Sequence, residues 1–200
     1  MKYLKQTLVL MLLLSSFLLN AQKDKGTIKL LNGKSISGLV KIKGNKISFK
    51  KNKSSKKVNY NYENVAMVTY LDKDNNEHKY EYIKLTYKKK PQLMLIQIDG
   101  FLKLYTESNF TFSGGAGTGG FGTAAGAGSF SGGSTYYIKR ENEKFATYYV
   151  AFGYIPKNKF KKVVRDYFKD CKSLLNKINN NEFKKKHYVE IVEYYNTNCR

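Results

Sequence analysis

The sequence predicts an α+β protein, in which an N-terminal antiparallel β domain at residues 26–154 precedes a helical segment at 157–198 that packs on it. Two observations support this class. The first region consists of short segments of apolar residues with turn dipeptides between them, which is typical of an antiparallel sandwich or a partly open barrel. After Asn158 the apolar residues recur every three or four positions, which indicates amphipathic helices.

Residues 1–21 have the composition of a cleavable signal peptide. A short start with two lysines precedes an apolar run from Leu8 to Leu19, and the small residue Ala21 stands where a signal peptidase would cut. The run is shorter than the roughly 20 apolar residues of a membrane-spanning helix, and it lacks the amphipathic spacing of a buried helix. We therefore expect an exported protein of the periplasm, the outer-membrane periphery or the extracellular space, without a transmembrane segment in the mature chain.

The β region contains ten predicted strands. Asn32-Gly33, Gly44-Asn45 and Asp99-Gly100 mark turns between them, because glycine and asparagine tolerate positive φ. The segment before Glu141-Asn142 is expected to pair with the strand that ends at Tyr105. The predicted strands are residues 26–31, 34–43, 46–50, 58–62, 65–71, 80–87, 93–98, 101–105, 136–140 and 145–151.

Residues 113–133 differ in composition from the rest of the chain, since they hold ten of its sixteen glycines and no charged residue. This composition favours a flexible insert in a hairpin loop, because the segment buries too little apolar area to offset its ordering entropy. Glycines at four-residue spacing leave a glycine-zipper membrane segment as the alternative. The segment contains no leucine, isoleucine or valine, which disfavours insertion.

Cys171 and Cys199 are the two cysteines of the chain. In an oxidising compartment the expectation is one disulfide, with two buried free thiols as the alternative. In a straight helical hairpin turning at Asn180, the cysteines would lie about 13 and 28 Å from the turn at ~1.5 Å per residue. A bridge therefore requires residues 179–186 to be irregular and the tail after Asn196 to fold back.

The formal net charge is +21, which indicates anionic partners. The excess is almost entirely lysine, and because arginine is the residue that binds phosphate and base edges in bidentate fashion, nucleic acid is disfavoured. The expected partners are anionic lipid, lipopolysaccharide, acidic glycan or another envelope protein. The candidate binding residues lie at two lysine-rich tips of the predicted β domain: Lys50, Lys51, Lys53, Lys56 and Lys57 at the first, and Lys88, Lys89 and Lys90 at the second.

No residue pattern indicates catalysis, a metal site or a cofactor. His78 and His187 have the surroundings of ordinary surface imidazoles, and neither a Gly-x-Ser-x-Gly nor a His-Glu-x-x-His motif occurs. Asp72-x-Asp74-x-Asn76 begins like a calcium loop. Glu77 stands where that loop needs glycine and Ile83 where it needs glutamate, so a turn is favoured.

Four segments resemble exported proteins without an assigned activity that are common in flavobacterial-type genomes. They are Gly26–Gly33, Asp166–Cys171, Leu174–Ile178 and Ile191–Cys199. The resemblance covers most of the mature chain except the glycine-rich stretch. It implies a location in the cell envelope and no known activity, so it assigns a role to no residue.

Together these observations favour a non-enzymatic envelope protein that binds anionic envelope components or has a structural role. The alternative is an envelope-polymer hydrolase with an unrecognised carboxylate site. Glu182, Glu190 and Glu193 could supply paired carboxylates. On a lysine-rich helix, however, a solvated face or ion pairs explain these residues better.

Overall fold

A computed structural model describes residues 24–72, 75–108, 134–151 and 157–199. The predicted signal peptide and the glycine-rich stretch 113–133 lie outside these ranges. The described strands are β1 Asp24–Leu30, β2 Ser35–Lys43, β3 Lys46–Lys50, β4 Val58–Tyr60, β5 Val65–Leu71, β6 Glu77–Ile83, β7 Gln92–Ile98, β8 Leu102–Ser108, β9 Ser134–Arg140 and β10 Thr147–Ala151. The described helices are α1 Lys157–Tyr167, α2 Lys172–Asn179 and α3 Tyr188–Asn198, with a 3₁₀ turn at Lys185–His187.

The strands form one open antiparallel sheet in the order β10-β9-β8-β7-β6-β5-β1-β2-β3-β4. β1 lies between β5 and β2, where Ile28 faces Val68 on one side and Ile36 on the other. Tyr105 of β8 faces Tyr137 of β9, which confirms the predicted pairing of these two strands. With the helices packed on the sheet, the structure confirms the predicted α+β class.

The connection between β4 and β5 forces the sheet to curl. In a flat sheet, four strand spacings of ~4.8 Å would separate β4 from β5 by about 19 Å. The connection contains only residues 61–64, and it is folded into a turn in which the amides of Asn64 and Val65 donate to the carbonyl of Asn61. β4 therefore returns toward β5. The curl surrounds a core cluster of Ile28, Val40, Ile47, Phe49, Val65, Val68 and Leu93.

Asn45, in the turn between β2 and β3, holds the curled part against the start of β7. Its Nδ2 donates to the carbonyl of Pro91 at 2.9 Å, and its Oδ1 accepts from the amide of Leu93 at 2.7 Å. The Tyr82 hydroxyl donates to the Asn45 carbonyl at 2.7 Å. The side chain thus joins segments about fifty residues apart in sequence.

The helices cover one face of β7–β10. Burial of a Leu, Ile or Phe side chain contributes roughly 1.5–3 kcal/mol, so this core fixes the helices on the sheet. Asn196 of α3 accepts from the Leu102 amide at 2.8 Å and donates to the Leu102 carbonyl at 2.9 Å. The core includes Leu102, Leu104, Ile138, Tyr149, Phe160, Val164, Phe168, Leu174, Ile178, Ile191, Val192 and Tyr195.

No helix in the described ranges is long and apolar enough to cross a membrane.

A third cluster covers the opposite face of the same strands and contains Ile83, Leu85, Met94, Tyr105, Tyr137 and Ala146. Leu85 forms an isolated bridge with Ala146, so the chain leaves the sheet after Ile83. The predicted strand 80–87 is therefore wrong in its bounds, since β6 begins three residues earlier and ends four earlier. β6 begins early because the Asp72 carboxylate accepts from the amide of Asn76 at 2.9 Å directly before the strand. It ends early because the chain turns after Leu85, whose carbonyl accepts from the Lys88 amide at 3.3 Å.

The disulfide between Cys171 and Cys199 is present, with a Cα–Cα distance of 5.4 Å. Residues 180–184 form a turn that leads into the 3₁₀ turn, so the expected irregular segment is confirmed. The tail does not fold back, and that prediction is wrong, because α3 continues to Asn198 and Cys199 follows directly. At ~1.5 Å per residue, α2 is about 12 Å long and α3 about 16 Å long. The irregular segment between the two helices compensates for this difference in length, so that Cys171 and Cys199 lie close enough to bond.

Candidate functional site

The two predicted lysine clusters lie at opposite ends of the curled part of the sheet. Lys88, Lys89 and Lys90 directly precede Pro91, beside the turn between β2 and β3. Residues 51–57 follow the other end of β3, a strand that rises about 13 Å at ~3.3 Å per residue. The structure therefore does not bring the two clusters into one patch.

The connection 51–57 borders an open cleft of about 650 Å³ against β1, β2 and the end of β5. Lys51 and Lys53 of this connection and Lys25 of β1 line it, and we call it the lysine cleft. Lys50 does not line the cleft. Its Nζ donates to the carbonyl of Lys53 at 3.2 Å and so supports the connection. Lys56 and Lys57 are exposed outside the lining.

Lys25 is not among the sequence-predicted binding residues. Leu39 of β2 pairs with Lys25 on one side and with Lys50 on the other. This register places Lys25 two strands from the start of the lysine-rich connection. A register across three strands leaves no local pattern in the sequence, so only the structure reveals this neighbour.

Three hydroxyl side chains form the polar part of the cleft floor. Thr69, Thr27 and Ser37 are register partners in β5, β1 and β2, so they project from the same face of the sheet. The adjacent Ile28 and Val68 are buried in the core on the other face. Thr27 Oγ1 and Ser37 Oγ lie 2.9 Å apart and hydrogen-bond to each other, which engages one of the two O–H donors of the pair.

Leu39 and Leu71 form the apolar part of the floor. Leu71 is 41% exposed, so a large part of its apolar side chain is open to the cleft and to water. Leu39 pairs with Lys25 and Leu71 pairs with Glu77, so each apolar residue has a charged neighbour in the next strand. The cleft thus has an apolar floor beside a charged rim.

The rim is positively charged. None of Lys25, Lys51 and Lys53 forms an ion pair with a carboxylate in the described ranges. Glu77 is the acidic residue of the lining, and the Nζ of Lys79 lies 3.3 Å from its Oε1. Several positive charges around a concave surface raise the local concentration of anions. The cleft is therefore suited to a negatively charged ligand.

Two glycines set the shape of the cleft floor. Gly26 and Gly38 are register partners in β1 and β2. A Cβ on Gly38 would lie 2.4 Å from the Lys50 carbonyl oxygen and 2.7 Å from the Phe49 ring, and one on Gly26 would lie 2.6 Å from the Thr69 carbonyl oxygen. Gly38 therefore lets β3 approach β2 closely, and Gly26 lets β5 approach β1 closely, because neither glycine has a side chain.

Both histidines have structural contacts. His78 Nε2 lies 2.8 Å from Asp72 Oδ2, and its ring stacks on Tyr70 with the centroids 5.1 Å apart. His187 Nδ1 accepts from the amide of Lys184 at 3.2 Å at the start of the 3₁₀ turn. The contacts of each imidazole ring therefore agree with a local structural role.

Asp72 and Asn76 bond to each other at the two ends of the segment that the sequence predicts to be a turn. Besides its bond to His78, the Asp72 carboxylate accepts from the Asn76 backbone amide at 2.9 Å and from the Asn76 side-chain amide at 3.1 Å. Asp74 lies outside the described residues. Within the described ranges, no group of three His, Cys, Asp or Glu side chains could hold a metal ion.

The negative charges of Glu81 and Asp99 are neutralised by neighbouring side chains. Glu81 lies 3.0 Å from Lys103 Nζ and accepts from the Tyr105 hydroxyl at 2.9 Å, while Asp99 lies 3.2 Å from Lys103. Burial acts to lower the pKa of Lys103, but the hydrogen bonds and charges of Glu81 and Asp99 outweigh it and raise that pKa. Burial, with the charge of Glu81, raises the pKa of Tyr105 well above 10.0. Lys103 and Tyr105 therefore keep their protons at neutral pH.

Of the three glutamates near α3, Glu182 is engaged in an ion pair. The Lys177 Nζ lies 2.8 Å from Glu182, and this hydrogen bond lowers the pKa of the Glu182 carboxyl. Glu190 and Glu193 are exposed on α3. The ion pair of Glu182 agrees with the explanation that the sequence favours for it.

No family model matches this chain, and neither a curated protein nor a solved structure matches it. The fold therefore provides no relative from which a ligand could be inferred. The lysine cleft is the feature of the described residues that points to one.

Proposed function

We propose that this protein is an exported, non-enzymatic binding module that holds an anionic component of the cell envelope in the lysine cleft. The observation that supports this most directly is the meeting of Lys51, Lys53 and Lys25 around one concavity. Two of these residues belong to a connection whose composition already suggests anion binding.

The chemistry of the rim favours recognition of charge. A lysine ammonium group is a flexible point charge, whereas arginine presents a planar fork that fits phosphate or carboxylate geometry. The arginines of the chain are Arg140, Arg165 and Arg200, and none of them lines the cleft. Near an anionic surface each lysine contributes about 1 kcal/mol, and salt screens this attraction beyond about 10 Å at 0.1 M ionic strength.

The proposed location agrees with the disulfide. Structural disulfides persist in oxidising compartments and are rare in the cytosol, and both cysteines of the chain are joined in one. The proposed signal peptide at residues 1–21 would deliver the chain to such a compartment.

The test is a binding titration of the mature, oxidised protein at low and high salt. The probes are vesicles containing phosphatidylglycerol, lipopolysaccharide and polygalacturonate, with neutral phosphatidylcholine vesicles as the reference. We expect at least one anionic probe to bind at low salt and to dissociate at high salt.

A matched pair of triple variants distinguishes binding in the lysine cleft from non-specific attraction by the positive charge of the whole protein. Lys25→Glu/Lys51→Glu/Lys53→Glu reverses the charge of the rim, and Lys88→Glu/Lys89→Glu/Lys90→Glu makes the same charge change at the opposite end of the sheet. At about 1 kcal/mol per lysine lost, we expect the rim variant to bind at least about a hundredfold more weakly. Equal losses in both variants would show non-specific attraction and overturn the proposal.

A further inference from the structure

We infer that the ligand of the lysine cleft is a single anionic amphiphile, with its alkyl chain on Leu39 and Leu71 and its anionic head at Lys25, Lys51 and Lys53. This inference rests on the proposed function and names the class of ligand. The arrangement of apolar floor and charged rim carries it.

The apolar floor offers a binding surface to an apolar group. Leu71 exposes 41% of its surface at the end of β5, and Leu39 lies in the same lining. Both side chains lie on the face of the hydroxyl row, because Leu71 and Thr69 are two residues apart in β5 and Leu39 and Ser37 are two apart in β2. A free inorganic anion would leave this surface in contact with water.

The cleft lacks the features of a sugar site. Tyr70 is the aromatic residue of the lining, but its ring is stacked with His78 at 5.1 Å and with Tyr80 at 5.9 Å. Thr27 and Ser37 bond to each other. The one aromatic ring of the lining is thus already stacked on β6, and one donor of the hydroxyl pair is engaged, so a sugar ring gains little here beyond what the lysines offer an acidic sugar.

The size of the cleft suits one molecule. Its volume of about 650 Å³ lies within the range of roughly 300–1,000 Å³ that is usual for small-molecule sites. Lysine stems also extend along apolar surfaces while their ammonium groups stay in water. The three rim lysines can therefore cover an alkyl chain and still reach its anionic head.

The experiment measures the affinity of the mature, oxidised protein for a series of n-alkyl phosphates, each kept below its micelle concentration. Burial of one methylene group is worth about 0.8 kcal/mol, so we expect affinity to rise about fourfold per added carbon until the floor is covered. Inorganic phosphate is the probe without a chain, and n-alkyl glucosides are the probes without a charge. We expect both to bind far more weakly than decyl phosphate.

A matched pair of leucine variants tests the floor. Leu71→Asn should weaken decyl phosphate binding about tenfold, since a buried Leu side chain contributes roughly 1.5–3 kcal/mol. Leu31→Asn is the control, because Leu31 is 61% exposed in the turn after β1 and lies outside the cleft. We expect this variant to bind like the wild type, and circular dichroism checks that both variants fold.

Different failures point to different errors. If inorganic phosphate binds as tightly as decyl phosphate, or if anionic vesicles bind and the alkyl phosphates do not, the amphiphile is wrong while the proposed function stands. If alkyl glucosides bind as tightly as alkyl phosphates, the charged rim does not select the ligand, and both ideas fail.

Discussion

Arg140 at the end of β9 and Asp170 between α1 and α2 form a two-pronged ion pair, in which Nη2 lies 3.2 and 3.1 Å from the two carboxylate oxygens. Nη1 donates to Glu143 at 3.0 Å, and the guanidinium carbon lies 4.2 Å from the centre of the Tyr167 ring. One side chain thus joins the sheet to the break between two helices. Cys171, and not Asp170, directly precedes α2.

Replacement of Arg140 should show how much this junction stabilises the fold. Lysine keeps the charge but cannot reproduce the planar fork or its stacking. The Arg140 side chain is only 15% exposed, so we expect Arg140→Lys to lower the free energy of unfolding by about 2 kcal/mol. Urea unfolding measures the change. Arg165→Lys, on an exposed position of α1, is the matched control, and equal effects of the two substitutions would contradict the prediction.

The disulfide should be a second large contribution to stability. It closes a loop with a sequence separation of 28, for which the chain-entropy estimate is about 3–4 kcal/mol. Cys171→Ser/Cys199→Ser should lose this amount in urea unfolding. A reductant should produce the same loss in the wild type and no change in the variant. If reduction leaves the wild type as stable as before, the bridge does not stabilise the fold.

The parts of the fold that follow from local chemistry can be predicted from the sequence. Gly33 and Gly44, in two of the predicted turns, both adopt positive φ, at 85° and 54°. The switch to helical spacing after Asn158 and the bridge between the two cysteines are also correct. The turns and the helical spacing each depend on a short stretch of chain. The disulfide is predictable because each of the two cysteines has only the other as a partner.

The candidate site could be predicted only in part, because it depends on contacts between distant segments. The lysines at 51 and 53 are visible as a charged run, but the position of β1 between β5 and β2 brings Lys25 to them. The tail after Asn196 was predicted incorrectly for a similar reason, since the path of residues 180–187 decides where α3 starts.

Gly38 should be intolerant of even the smallest side chain. A Cβ there would lie 2.4 Å from the backbone oxygen of Lys50, and overpacking of this kind costs typically 1–3 kcal/mol. We expect Gly38→Ala to destabilise the protein by about 2 kcal/mol in urea unfolding and to weaken ligand binding in the lysine cleft. Ser35→Ala, at an exposed position of the same strand, should change neither property. A Gly38→Ala variant of wild-type stability would show that β3 can move away from β2.

Alkaline pH should unfold the protein through its buried tyrosines. Burial raises the pKa of Tyr82 to about 12 from an ordinary 10.0, and it raises the pKa values of Tyr105 and Tyr137 further. The folded state therefore holds these protons more tightly than the unfolded state. The resulting stabilisation is fully present below pH 10 and is lost as the pH rises from about 10 to 12 and beyond.

Ultraviolet absorbance of tyrosinate and circular dichroism, recorded in one titration, check this behaviour. The exposed members of the seventeen tyrosines should ionise first, with no loss of structure. The buried ones should ionise later, together with unfolding. Ionisation of every tyrosine near pH 10 with the fold intact would contradict the assigned burial.

Asn45 should be the most sensitive polar residue of the curled part of the sheet, because its side chain both donates to Pro91 and accepts from Leu93. Asn45→Ala leaves a part-buried amide and a carbonyl without these partners, which costs about 2 kcal/mol. Asn45→Asp can still accept from Leu93 but cannot donate to Pro91, so alanine and aspartate should both destabilise. Asn59→Ala is the control, since Asn59 has only an exposed side-chain bond from Ser48. If urea unfolding shows the same small change for Asn45→Ala and Asn59→Ala, the short connection at residues 61–64 maintains the curl without help from this turn.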